Sequence, residues 1–386
     1  MTDSLTSKNA KPLNIGMIGY AFMGKAHSAA YRDVARYFPD LKLQPVLKAI
    51  CGRNEKAVAQ AARQFGWESY ETDAMALINR NDIDVVDVSS PGWAHKDQVI
   101  AAAKAGKHII CEKPIANNLK DARAMAAAVE KAGVKSLVMF NYRRVPAISL
   151  AREMILAGDI GEIYQIRARY LQDWIADPSF PMVWRLDKDK AGSGALGDIG
   201  SHIIDIARYL VGEFVDVSAV MKTFIKQRPL GPKGKETGTV TVDDAAAWIA
   251  NFDNGAIGTF DATRFARGRK NGNGFEIYGS KGSLMFDLED MNHLKFWSAK
   301  DSPRLQGFRD ILVTEPQHPF MQGWWPPGHI IGYQHTFANT LYDFFTALAA
   351  GKDGSPNMQD GVKAQAVLEA VEKSANSRKW VRIADV

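Results

Sequence analysis

Between residues 13 and 140 the sequence alternates short apolar runs with amphipathic stretches, and this alternation restricts the fold more than any other feature. Residues 13–18, 43–50, 85–88, 108–111 and 137–140 read as buried strands. Residues 25–37, 55–65, 96–104 and 119–132 carry the 3.6-residue spacing of helices between them. Strands that are apolar on both faces and separated by helix-length segments imply a doubly wound parallel sheet with crossover helices.

The second half changes character. Residues 163–171 and 215–225 are strand-like. Residues 245–252 and 256–263 flank Asp253-Asn254-Gly255, a hairpin turn, and 275–278 and 284–286 flank a second turn at 279–282. Successive hairpins predict an open, mainly antiparallel sheet flanked by helices, an α+β architecture. Residues 231–238 form a polar loop. The long stretch 301–329 has few regular signals and contains Trp324-Trp325-Pro326-Pro327-Gly328, a lid or an interface. Helical spacing returns at 336–349 and 362–374. A chain of 386 residues exceeds one core, so two domains are expected, 1–141 and 142–386.

Composition excludes several classes. The net charge is +5, with no Lys/Arg block, so no nucleic-acid partner is expected. No run of about 18 apolar residues is present to span a membrane. The first dozen residues are polar and lack an apolar signal core. Cys51 and Cys111 each end an apolar run; two such thiols suit a reducing cytoplasm, the expected location. No residue set is assigned to a metal.

The first apolar run leads into Gly19-Tyr20-Ala21-Phe22-Met23-Gly24 and then a helix, a G-x-G-x-x-G dinucleotide fingerprint with Ala21 at the middle glycine. Gly19 permits the tight turn and Gly24 the close approach of helix and strand. The helix start at Ala21, Phe22 and Met23 offers amides to a pyrophosphate. Strand-turn-helix units without a cofactor share this spacing, but the first-strand position favours the cofactor reading. At the end of the second strand no carboxylate is available for a ribose 2′-hydroxyl. Arg53 could hold the 2′-phosphate of NADP or stack on adenine, leaving Asn54 to bond the ribose.

Two further groups carry chemistry. The strand at 108–111 ends in Glu112-Lys113-Pro114, which places Lys113 outside a carboxyl strand end, toward the nicotinamide side of a bound dinucleotide. In the second half, Asp198, His202, Asp205 and Tyr209 fall at i, i+4, i+7 and i+11 and share one helix face. Ile199, Ile203, Ile206 and Leu210 form the adjacent apolar stripe. A carboxylate one turn from an imidazole is an arrangement for moving protons.

Together these motifs resemble the glucose–fructose oxidoreductase/inositol dehydrogenase family (Gfo/Idh/MocA) over nearly the whole chain. The resemblance rests on Glu112-Lys113-Pro114, then Gly197-Asp198 and His202, with segment 21–28 most similar to members acting on cyclitols and sugars such as scyllo-inositol, L-glucose and levoglucosan. It implies that Lys113, Asp198 and His202 form the catalytic trio and that the open sheet packs against a partner subunit in a homodimer or homotetramer. It also implies NAD as cofactor. This differs from the mild NADP reading at Arg53, and NAD is preferred because an Arg stacks without a phosphate. The expected reaction is oxidation of a ring secondary hydroxyl of a small-molecule cyclitol or sugar. Tyr142, Gln172, Asp173, Trp174, Arg185 and His335 are candidate substrate contacts, with Glu112 beside the cofactor. An NAD-dependent glycosidase and a ligand sensor on the same fold are the rival readings.

Overall fold

The computed structural model describes residues 10–231 and 236–386. Residues 232–235 of the polar loop and 1–9 of the polar leading stretch lie outside them. The described residues divide into two compact units, 10–116 with 120–144 and 331–363, and 117–119 with 145–231, 236–330 and 364–386.

The first unit begins with β1 (Lys11–Ile18), α1 (Phe22–Tyr37), β2 (Leu43–Cys51), α2 (Glu55–Phe65), β3 (Ser69–Glu71) and α3 (Ala74–Ile78). It continues through β4 (Val85–Val88), α4 (His95–Lys104), β5 (His108–Cys111), α5 (Leu119–Ala132) and β6 (Ser136–Val138). The six strands pair in the order β3-β2-β1-β4-β5-β6, all parallel. All four residues of β4 are buried, which is why the run reads as continuously apolar apart from Asp87. Asn54 accepts the amide of Ala57 at 3.0 Å and so starts α2. α1 begins three residues before its periodic pattern does, because Phe22 is exposed and breaks the pattern. β3 and α3 are too short for periodicity to reveal.

The second unit is built from α6 (Pro146–Leu156), β7 (Ile163–Leu171), α7 (Lys188–Ala191), α8 (Ser201–Leu210), β8 (Phe214–Lys222), β9 (Gln227–Pro229) and β10 (Thr237–Thr239). Then follow β11 (Ala245–Phe252), β12 (Ile257–Thr263), β13 (Gly272–Gly279), β14 (Gly282–Asp287), β15 (His293–Ser298) and β16 (Arg309–Leu312). The hairpins at 253–255 and 279–282 form as expected. With β17 (Val381–Arg382), the nine-stranded sheet runs β16-β15-β14-β13-β7-β12-β11-β8-β17, and only β12 with β7 is parallel. One face buries Ile166, Ala168, Trp248, Phe260, Phe275 and Leu284. The opposite face alternates polar side chains with exposed Val220, Ile249 and Ile257.

Residues 331–363, placed in the second domain by the sequence reading, contribute α9 (Tyr333–Ala349) and the start of α10 (Met358–Ser377) to the first unit. The reason is aromatic burial: Phe337 packs 5.4 Å from the ring of His27 and Phe345 stacks 6.3 Å from Tyr31, both residues of α1.

Candidate active site

The turn between β1 and α1 has the form that a pyrophosphate requires. Gly19 sits at φ +114°, where a Cβ would stand 2.6 Å from the Ser89 carbonyl oxygen; at Gly24 a Cβ would stand 2.3 Å from the Gly19 carbonyl oxygen. Only glycines allow strand, turn and helix to approach this closely. Ala21, at the N-cap of α1, makes no side-chain cap bond, and no carboxylate lies in the first turn, so the positive helix end keeps amides for an anion. Phe22 is exposed beside this turn and Met23 half-buried. Arg53 is exposed at the end of β2, while the side-chain Oδ1 of Asn54 is engaged in capping α2. The residues present fit a dinucleotide.

At the ends of β4 and β5 the chain is tightly tied. His95 faces the carbonyl oxygens of Ser90 at 2.7 Å and Ile115 at 3.1 Å, stapling the two turns together. Glu112 is turned inward and only 5% exposed, so its carboxylate supports the turn from beneath instead of lining its surface. Its Oε2 accepts the backbone amide of Lys113 at 3.1 Å, and Lys113 is half-buried just beyond it.

Tyr142 is buried, with its ring 6.3 Å from that of Tyr333, which in turn stacks 6.2 Å from Phe22 of the fingerprint. Burial, with Tyr142 and Glu112 nearby, pushes the Tyr333 phenol well above its ordinary range. The sequence reading missed Tyr333, because it began this helix at 336. His335, an expected substrate contact, caps α9: its Nδ1 accepts the Gly332 amide at 3.0 Å, and burial lowers its pKa.

In the second unit a π-helical turn, Leu196–Gly200, precedes α8. Asp198 therefore lies in a wider turn than the i, i+4 reading of one continuous α-helix supposed. His202 is buried on α8, and the Ile199, Ile203, Ile206 and Leu210 stripe is buried as expected. Asp243 holds the approach to the π turn, accepting the amides of Gly194 at 2.6 Å and Leu196 at 2.8 Å. Burial raises the pKa of this carboxyl against the lowering effect of those two bonds. Arg264, 1% exposed, places Nη1 3.6 Å from Asp198 Oδ2 and donates from Nη2 to the Asp243 carbonyl at 3.3 Å.

Beside His202 lies a polar row. The Tyr170 ring is 5.8 Å from the imidazole; its hydroxyl donates to Asn271 Oδ1 at 2.7 Å, and Gln172 Nε2 donates to the same oxygen at 3.0 Å. Trp174 donates from its indole to Gln172 Oε1 at 3.1 Å, over the Arg264 guanidinium. Gln172 and Trp174 thus belong to one hydrogen-bonded row. Asp173 does not: it pairs with Lys270 at 2.8 Å and accepts the Gly268 amide, and the Lys270 bond holds its carboxyl below the usual range. Arg185 is exposed and lies over the Trp184 ring. Tyr170, Asn271, Asp243 and Arg264 escaped the sequence reading. The adjacent acids Asp243 and Asp244 are visible in the sequence, but nothing local pairs them with residues 194–196.

Among the described residues no helix is long and apolar enough to cross a membrane. The family described as an oxidoreductase family with an NAD-binding Rossmann fold matches residues 13–141, and the GFO/IDH/MocA C-terminal domain matches 148–285. A levoglucosan dehydrogenase of Pseudarthrobacter phenanthrenivorans is 44% identical over 386 aligned residues, covering 97% of this chain and 99% of that protein. Among solved structures, an oxidoreductase domain protein from Kribbella flavida is 54% identical with a TM-score of 0.94, covering 96% of this chain and 99% of that one. A levoglucosan dehydrogenase in complex with NADH and levoglucosan is 46% identical over 96% of this chain and 99% of its own, again with a TM-score of 0.94. The chain belongs to the GFO/IDH/MocA family of oxidoreductases and carries its NAD-binding Rossmann domain.

Proposed function

We propose that the protein is an NAD-dependent dehydrogenase that oxidises a ring secondary hydroxyl of a sugar or cyclitol to the ketone. A levoglucosan-type anhydropyranose stands ahead of scyllo-inositol and L-glucose. The observation that carries the reading is the imidazole of His202 set beside the Tyr170–Asn271–Gln172 row, with Asp198 on the turn before it. The row supplies the several hydrogen-bonding groups that a polyol needs. The levoglucosan preference is supported by the 44% identity to a levoglucosan dehydrogenase along nearly the whole chain.

The fingerprint amides would hold the pyrophosphate, Arg53 would lie against adenine, and Lys113 would stand at the nicotinamide end. When bound, NAD supplies the acceptor for the hydride that leaves the carbinol carbon. His202 takes the hydroxyl proton, the general-base role that an imidazole can fill. The Asp198 carboxylate stabilises the imidazolium that results. The Lys113 ammonium holds the reacting oxygen and favours the negative charge that develops on it. Oxidation thus releases a ketone, reduced cofactor and one proton, which leaves by way of His202. Tyr142, Gln172 and Trp174 are proposed substrate contacts. For the unit boundaries, 1–141 as cofactor domain and 142–386 as substrate and oligomerisation domain remain our proposal, with 331–363 packing on the former.

The exposed Val220, Ile249 and Ile257 on the open sheet face support a homodimer or homotetramer, which light scattering in solution tests. The reaction is tested by following dinucleotide reduction with NAD and NADP over a panel of cyclitols and sugars. Reduction of NAD with a pyranose is expected; no reduction with any polyol overturns the reading. Lys113→Ala and His202→Ala should each lose roughly 10²–10⁴-fold in turnover while calorimetry still finds NAD bound. Release of nitrophenol from a nitrophenyl glycoside with no net NADH would instead favour the glycosidase.

A further inference from the structure

Under the fingerprint lies a cluster of charges that the proposed chemistry does not use. His27 of α1 is fully buried, with Nδ1 2.8 Å from Asp87 Oδ2 on β4 and Nε2 2.9 Å from Glu112 Oε1 just past β5. Both ring nitrogens face carboxylate oxygens, and only the doubly protonated imidazole supplies two donors. Tyr31 donates to Asp87 Oδ2 at 2.7 Å and Ser89 Oγ to Asp87 Oδ1 at 2.8 Å, so both Asp87 oxygens are held. The Glu112 carboxylate has His27 on one oxygen and the Lys113 amide on the other. One side chain thus links α1 to the residue proposed to hold the reacting oxygen.

We propose that His27, as a buried imidazolium, is a positioning residue that fixes Glu112 and through it the backbone of Lys113. The proposal rests on the reading of Lys113 given above. His27 touches neither cofactor nor substrate; its charge keeps the Glu112 carboxylate seated where it can receive the Lys113 amide. Without it, two carboxylates would share one water-free space and push Glu112 out of register. The α9 side of the imidazole is covered by the Phe337 ring, which brings no charge. Among the described residues His95, Cys111 and Tyr333 also lie near Glu112, and Lys113 follows it in the chain. Burial opposes the charge on His27, but Asp87 and then Glu112 outweigh it and raise its pKa from 6.5 to about 10.

The test uses the intact enzyme. Nitrogen-15 NMR of the His27 ring should find both nitrogens protonated from pH 6 to 9. A ring that titrates near its ordinary value overturns the proposal, whatever the activity assays give. His27→Gln should lower kcat roughly 10- to 100-fold near neutral pH, with the gap closing at alkaline pH as wild type loses the imidazolium proton, while KM for NAD moves much less. A wild-type kcat and profile in that variant overturns the proposal. The double variant His27→Gln/Asp87→Asn restores the net charge of the cluster but still leaves Glu112 without its partner, so its kcat should stay low; recovery would mean that net charge alone matters. If His27→Gln does not fold, the NMR result on the unmodified enzyme still decides. Near-normal turnover in Lys113→Ala would remove the reading of the site but leave the NMR result untouched.

Discussion

The carboxylates Glu112 and Asp198 each lean on a buried cation, yet they are held differently. Glu112 is 7% exposed at its side chain and stands 2.9 Å from a fully buried His27, whereas Asp198 keeps 32% of its side chain exposed and stands 3.6 Å from Arg264. The first pair is sealed and both carboxylate oxygens are occupied within the first unit. The second leaves its carboxylate within reach of solvent. Enclosure suits a group that must stay still; partial exposure suits one that must meet a reacting molecule.

Substitutions can break this contrast, beginning with the approach to Asp198. In Gly194→Ala the new Cβ would stand 1.8 Å from the Asp243 carbonyl oxygen, which cannot be met without moving the π turn. Turnover should fall roughly 100-fold or more, the equivalent of about 3 kcal/mol of overpacking. NAD titration should be unchanged, and a parallel loss of NAD binding would show that the damage is not confined to the second unit. Arg264→Met should cost roughly tenfold in kcat, about the worth of a bond to a charged group. An unchanged kcat would mean that Asp198 needs no cation.

Stability against pH examines the sealed pair. The folded pKa of His27 is raised, so its contribution is full below the unfolded value of 6.5 and is lost as pH rises through about 10. Urea unfolding should therefore find the stability gap between wild type and His27→Gln narrowing by about 1.4 kcal/mol per pH unit across that window. A constant gap would mean that the imidazole is neutral in the folded protein. The smallest effect belongs to Asp173→Asn. Its partner Lys270 is largely exposed, so solvent screens the pair and the bond adds little. Melting and substrate KM should barely move, and a large rise in KM would return Asp173 to the substrate contacts.

Much of the frame was legible because periodicity is local. A parallel strand covered on both faces, a hairpin turn at 253–255 and a glycine turn after the first strand each need only a few neighbouring residues. The same locality explains what escaped. The π turn leaves no distinct pattern, so Asp198 and His202 read as one α-helical face. Tyr333 precedes the periodic part of α9, and nothing local shows that His335 caps that helix.

The sequence by itself determined the doubly wound first unit, the mainly antiparallel second sheet, the glycine turn suited to a dinucleotide and the family to which the chain belongs. Only the tertiary structure decided that residues 331–363 pack with the first unit, that Arg264 and Asp243 brace the turn carrying Asp198, and that Glu112 faces inward. Charges select partners by distance in space after folding. His27 meets Asp87 and Glu112 across 60 and 85 residues of chain, a separation over which side-chain spacing in the sequence carries no record of contact.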